Sequence, residues 1–338
     1  MIQTLDPNAQ NAVAVLFPGH GSPYSDMGVT EYDQNKTFRD TIDEANATLA
    51  PLFGTSIEKK VFTREGATAA EIEGHLLRTD VVQPLILAFD VAYYRLGREM
   101  GLNPHALLGH SVGEMAAAVV AGMLSFEQGL RAMFERGKVF RTLIDQAIDT
   151  GGMVAVKASR ERVEAALKPS QDFSIACINS PNQVVIAGSR DGITRASREL
   201  ETQGIGFTLL GVEVAWHSPL AQRLGREALF KIFSGLNYQP HRIPILCNVD
   251  LDYYSPAHAS QSDFQQRVVK NFTDQVGSRL DFVSCVEKLY QDGVRVFVEA
   301  GPRRILSGFV TSILGKRPYV LIPYDQKKGA RNMLKAVG

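Results

Sequence analysis

The pentapeptide Gly109-His110-Ser111-Val112-Gly113 constrains this chain more than any other stretch. Apolar Leu107 and Leu108 run into it, and a helix-like pattern over residues 114–121 runs out of it. That layout is a nucleophile elbow, a sharp strand-to-helix turn with a serine at its tip. Its glycines let the backbone turn tightly. The turn aims the Val112 N–H and the start of the next helix at an incoming carbonyl oxygen. An ordinary glycine turn is the alternative that the pentapeptide alone leaves open.

The surrounding pattern predicts where the elbow sits. Residues 12–17 read as a buried strand ending in the loop Pro18-Gly19-His20-Gly21-Ser22. Residues 36–52 and 68–78 have helical spacing, and a longer helix is expected after Gln83-Pro84. Residues 105–108 form the strand into the elbow, and residues 126–148 a further helix. From Gly151 the texture changes. Strands over 153–156, 174–178, 183–187 and 206–212 and helices over 160–167 and 193–204 give a β-α-β-β-α-β order, the ferredoxin-like pattern. The larger pattern then resumes, with helices over 218–233, 264–272 and 282–292 and strands over 243–248 and 294–299. The expected fold is α/β: a hydrolase-like core around a mostly parallel sheet, residues 1–150 and 213–338, with an inserted ferredoxin-like subdomain, residues 151–212.

Composition narrows the partners. The 338 residues carry 36 Lys and Arg against 36 Asp and Glu, so neither nucleic acid nor an anionic membrane is expected as a bulk partner. Cys177, Cys247 and Cys285 lack metal-ligand spacing, and so sparse a set fits a reducing, cytoplasmic setting. No secretory signal or membrane-length apolar run is evident.

Ser111 needs a base, and seven histidines are available. His75, His241 and His258 lie in polar or Pro-flanked segments that favour the surface, and His105 precedes the elbow strand as a structural residue. His110 adjoins the serine, but neighbours on a tight turn point apart. His217 stands where a strand-like run, Val214-Ala215-Trp216, meets a helix start, Ser218-Pro219. It reads either as the base or as a structural histidine. An oxyanion hole needs a second donor beside Val112, and the Pro18–Ser22 loop offers the His20 N–H. A phosphate-cradling loop would end in Lys-Ser/Thr, which is absent; a plain turn stays open. Arg136 is either a solvated helical arginine or, if it faces the cleft, a bidentate carboxylate clamp.

Together these stretches resemble the malonyl-CoA:acyl carrier protein transacylase and polyketide synthase acyltransferase family, in order over residues 12–325. Phe17-Pro18-Gly19-His20-Gly21-Ser22 is similar to the family's Phe-Pro-Gly-Gln-Gly-Ser loop, and Val82-Gln83-Pro84-Leu85 to its Thr-Gln-Pro-Ala segment. Gly109–Glu114 is the nucleophile motif, and Arg136-Gly137 falls where the family keeps its carboxylate-binding arginine. Asn179-Ser180-Pro181, His217-Ser218-Pro219 and Val298-Glu299-Ala300-Gly301-Pro302 match three later motifs.

The resemblance implies ping-pong transfer of a malonyl group from coenzyme A, through an acyl-serine, to the phosphopantetheine thiol of an acyl carrier protein. Ser111 and His217 would be the catalytic pair, His20 and Val112 the oxyanion donors, and Arg136, Gln83 and Trp216 the substrate-binding residues. The family orients its histidine with a backbone carbonyl, here expected at Asn271, although Thr273-Asp274-Gln275 departs from the usual Asn-Pro-Val. Trp216, where malonyl-selective members have phenylalanine, favours malonyl over methylmalonyl. No bound cofactor or metal is implied. The expected enzyme is a free-standing monomer in fatty-acid or polyketide synthesis, with Lys138, Arg303 and Arg304 as candidate contacts for an acidic carrier.

His20 in the glutamine position raises a competing reading, a hydrolase that clears acyl groups from carrier proteins. A silent docking module and a lipase-type hydrolase are further alternatives. The first is opposed by the set Ser111, His217 and Arg136; the second by the insertion between nucleophile and base.

Overall fold

The computed structural model describes residues 11–168, 170–254 and 260–325. His258 lies outside the described residues. Among the described residues eleven strands occur in chain order: β1 Ala12–Phe17, β2 Ala106–Gly109, β3 Gly152–Val156, β4 Phe173–Ser180, β5 Gln183–Gly188, β6 Phe207–Leu209, β7 Ile245–Leu246, β8 Tyr253–Tyr254, β9 Leu280–Asp281, β10 Val294–Glu299 and β11 Val320–Pro323.

The larger sheet runs β11-β10-β1-β2-β7-β8 and is parallel except for β8, which returns antiparallel to β7. Its middle strands are apolar throughout because helices cover both faces. In β1 all residues but Val13 are buried, and in β2 all are. Val15 sits beside Leu107 and Phe17 beside Gly109, so the carboxyl ends of β1 and β2 finish level. Ligands gather at that edge in open parallel sheets. Both glycine-containing turns leave from it.

The smaller sheet runs β6-β3-β5-β4-β9. Its first four strands stand in the order fourth-first-third-second of the β-α-β-β-α-β unit, as ferredoxin-like units do, around a separate core of Val154, Val156, Ile186, Ala196 and Leu200. The added strand β9 pairs parallel with β4 and comes from far beyond residue 212.

Several boundaries differ from the sequence reading. The strand expected over 243–248 is paired only at Ile245–Leu246, and that over 206–212 only at Phe207–Leu209. The long helix starts at Thr79 and carries Pro84 inside it. Tertiary ties hold that first turn: Arg78 pairs with Asp80 at 2.8 Å, and the Thr79 hydroxyl donates to the Gly137 carbonyl at 2.9 Å. Ser218 caps the helix Pro219–Ser234 with proline in its first turn, as its sequence suggests.

Candidate active site

The elbow has the expected form. Ser111 lies between β2 and the helix Gly113–Val120 with φ +57°, a left-handed value a non-glycine residue holds only when its surroundings enforce it. The enforcement is visible. A Cβ on Gly109 would run into the Glu114 backbone nitrogen, and one on Gly113 into the Phe17 carbonyl. Asn248, just past β7, clamps the turn from the side. The Ser111 N–H donates to its Oδ1 at 3.0 Å, and its Nδ2 donates to the Gly109 carbonyl at 2.8 Å. From below, Gln275 Nε2 donates to the Ser111 carbonyl at 3.2 Å and to the Glu114 carboxyl at 2.6 Å. Tyr254 OH donates to the other Glu114 oxygen at 3.1 Å, and burial pushes that carboxyl up to about 7.

His217 meets the serine from the other side of the cleft. Its Nε2 lies 2.7 Å from Ser111 Oγ, and its Nδ1 lies 3.0 Å from the Ser278 carbonyl. A carbonyl only accepts, so Nδ1 carries the proton and Nε2 is left to accept from the hydroxyl. Burial, with His110 and Arg136 nearby, pulls the imidazole down to about 3, so it stands neutral throughout the physiological range. The pair can therefore deprotonate the serine as it attacks.

Asn271 does not orient the histidine. It lies inside the helix Gln261–Asp274, where its carbonyl accepts from the Gln275 N–H at 2.9 Å. Its side-chain amide donates to Asp250 at 2.8 Å. Without a proline to stop it, the helix runs on past the point where a carbonyl was expected to be free, and Ser278 supplies one after it ends.

The Pro18–Ser22 loop leaves the end of β1 and lies against the elbow. A Cβ on Gly19 would come 2.5 Å from the His110 carbonyl, so only glycine allows the approach. Neither the His20 nor the Val112 N–H donates to another group among the described residues. Two such donors can hold an oxyanion.

Arg136, on the helix Phe126–Asp145, is 2% exposed. Its Nη1 donates to Gln83 Oε1 at 2.5 Å, while its other terminal nitrogen is buried and has no partner among the described residues. Burial lowers the guanidinium to about 9, which leaves it charged at neutral pH. It lies over the Trp216 indole at 4.5 Å from the ring centre. A buried cation with an unpaired donor is expensive unless an anion joins it.

His110 makes no hydrogen bond to Ser111: its Nε2 bonds Asn179 Oδ1 at 2.9 Å, and it lines the same cavity as Ser111 and His217. His105 is structural, its Nδ1 accepting from the Val13 N–H at 3.1 Å. His241 is partly buried, held by the Tyr254 carbonyl at 2.7 Å, because that segment packs against β8. Asn248, Gln275 and Ser278 escaped the sequence reading. For Asn248 a signal existed, a polar residue closing an apolar strand at the ligand edge of the sheet. Among the described residues no group of His, Cys, Asp or Glu is arranged to hold a metal ion, and no helix is long and apolar enough to cross a membrane.

Residues 15–311 match the acyl transferase domain family. The chain is 32% identical over 304 residues to erythronolide synthase EryA3 of Saccharopolyspora erythraea, covering 89% of this chain and 9% of that far longer protein. It is 27% identical over 307 residues to the malonyl CoA-acyl carrier protein transacylase of Bacillus subtilis, covering 89% of this chain and 90% of that one. Among solved structures it resembles a malonyl-transacylase in complex with its type II polyketide synthase acyl-carrier protein. There the TM-score is 0.78 at 26% identity, over 93% of this chain and 95% of that one. An elbow serine with its histidine, set in a parallel sheet that carries a ferredoxin-like unit, and a family match over most of the sequence lead to one conclusion: the chain belongs to the acyl transferase family.

Proposed function

We propose that the protein moves a malonyl group from coenzyme A to the phosphopantetheine thiol of an acyl carrier protein. The observation that carries this reading is Arg136, a buried guanidinium near His217 with one donor unpaired among the described residues. A carboxyacyl group supplies the missing anion, and a simple fatty acyl group does not. The Bacillus relative and the carrier-bound neighbour support the same substrate and partner.

The chemistry follows from the hydrogen bonds. His217 Nε2 takes the Ser111 proton while Oγ attacks the thioester carbonyl, and the His20 and Val112 N–H groups hold the oxyanion. The tetrahedral intermediate collapses, the C–S bond breaks, and coenzyme A leaves with the proton from His217. The carrier thiol then gives its proton to His217, attacks the acyl-serine, and Ser111 recovers the proton as the new thioester forms. A neutral carbonyl at Nδ1 suffices because a thiolate is a good leaving group. Gln83 holds Arg136 in place through its carbonyl oxygen. Trp216 fills the space beside the α-carbon and selects malonyl over methylmalonyl by about 1–3 kcal/mol. No metal or bound cofactor takes part in these steps.

The test is competition among malonyl-, methylmalonyl- and acetyl-CoA, read by the intact mass of the enzyme, with Ser111→Ala as control. Malonyl on Ser111, followed by discharge to added carrier, is the expected result. Fast coenzyme A release with no carrier present would establish the hydrolase reading instead.

A further inference from the structure

Two cavities meet at Trp216. One, of about 160 Å³, contains Ser111 and His217. The other, of about 280 Å³, is walled in part by Leu76, Leu77, Thr79 and Val82 and contains neither. They share His20, Gly21, Gly211, Val212 and Trp216. Two of those five are glycines, so the side chains that close the passage are His20, Val212 and Trp216.

Among the described residues the indole has three ring or cation neighbours. Phe140 meets it at 68° and 4.6 Å, and is itself wedged against Gly225, where even a Cβ would collide with it. Arg136 lies over the ring and is tied to Gln83. Both belong to the helix Phe126–Asp145. His20 is different. It stands on a loop, stacks near-parallel on the indole at 22° and 5.5 Å, and its buried Nε2 has no hydrogen-bond partner among the described residues. Burial and the nearby Arg136, His217 and His110 keep the ring neutral, so it rests close to the guanidinium without charge repulsion. The stack on Trp216 is the ring contact that this side chain makes among the described residues.

We infer that His20 is a positioning residue for acyl selection: its imidazole stacks on Trp216 and holds the indole across the passage to the second chamber, which excludes acyl groups with a bulky α-substituent. This rests on the transferase reading above. A flat ring at position 20 is what matters, not its nitrogen atoms. With the ring gone, the indole turns toward the vacated space and an α-alkyl branch gains the second chamber.

The experiment compares His20→Ala, His20→Phe and wild type for loading of malonyl- against ethylmalonyl-CoA, by mass of the acyl-enzyme. Both variants keep the backbone N–H, and a ratio of two acyl groups on one protein cancels any general loss of rate. The ethylmalonyl-to-malonyl ratio should rise about fivefold or more in His20→Ala, the scale expected for one aromatic stack. It should stay within about twofold of wild type in His20→Phe. An unchanged ratio in His20→Ala, or an equal rise in both variants, overturns the inference. If wild type loads no malonyl group, the transferase reading fails by itself, and the branched-to-unbranched ratio is taken on the acyl series it does load. Acrylamide quenching of Trp216, the only tryptophan, decides the matter without any turnover. Quenching should quicken in His20→Ala and not in His20→Phe; equal quenching in all three overturns the inference.

Discussion

Replacing Asn248 by alanine tests whether the elbow is held from outside itself. The residue is 3% exposed and bonds two backbone groups at once, the Ser111 N–H and the Gly109 carbonyl. Truncation leaves both buried groups unpaired, at about 1–3 kcal/mol each, or about 2–6 kcal/mol together. Ser111 also holds a left-handed backbone that is about 1–3 kcal/mol uphill without support. The turn should relax, and Ser111 Oγ should leave the 2.7 Å contact with His217. A shift near 1 Å at a reacting atom slows chemistry about a hundredfold. Urea unfolding and single-turnover loading of Ser111 measure the two effects separately. Asn248→Asp guards against simple loss of folding. It keeps the acceptor for Ser111 but sets an oxygen against the Gly109 carbonyl, so it should also load slowly. Unfolding within about 0.5 kcal/mol of wild type, together with unchanged loading of Asn248→Ala, would refute the argument.

Four further outcomes follow from the site. Arg136→Leu should cut malonyl loading about a hundredfold or more relative to acetyl, since a buried charge without its partner costs about 3–5 kcal/mol; an unchanged malonyl-to-acetyl ratio contradicts the clamp. His217 sits at about 3 when folded, against 6.5 for an unperturbed imidazole, so between those values only the unfolded chain takes the proton, and its contribution to stability falls as pH falls. His217→Phe should flatten the acid limb of stability by up to about 1.4 kcal/mol per pH unit between about pH 4 and 6. Glu114 works in the opposite sense, since its raised value favours the folded state at low pH and that contribution is lost as pH rises from 4.5 towards about 7. Glu114→Gln should therefore steepen the same limb, and urea midpoints across the range check both slopes. Asn271→Ala removes a bond to Asp250 and none to His217, so the pH profile of Ser111 loading should keep its shape; a displaced profile would return Asn271 to the histidine.

The elbow was legible because everything that makes it is local. An apolar run, two glycines that a Cβ would forbid, and a following helix are close neighbours in the chain, and short-range sterics read directly from sequence. The small sheet was legible in the same way, as an ordered run of strand and helix patterns. Strand β9 was not, because two residues carry no periodicity, and its place on β4 depends on where the chain returns. The Asn271 expectation failed at a helix end. Residues 273–277 lack the proline that would stop the helix, and a carbonyl inside a helix is already taken by the next turn.

By itself the sequence determined the parallel α/β core, the turn that lifts Ser111, and the residue types able to act there, since propensity, periodicity and backbone sterics act over short distances. Only the tertiary structure decided which of the seven histidines reaches the serine, that the Ser278 carbonyl fixes its tautomer, that Asn248 and Gln275 brace the turn, and that Arg136, Trp216 and His20 lie together. Those partners are far apart in the chain, 106 residues for Ser111 and His217 and 137 for Ser111 and Asn248. Polar residues of this kind carry no pattern of their own, and the closure of the sheets brings them within hydrogen-bonding distance.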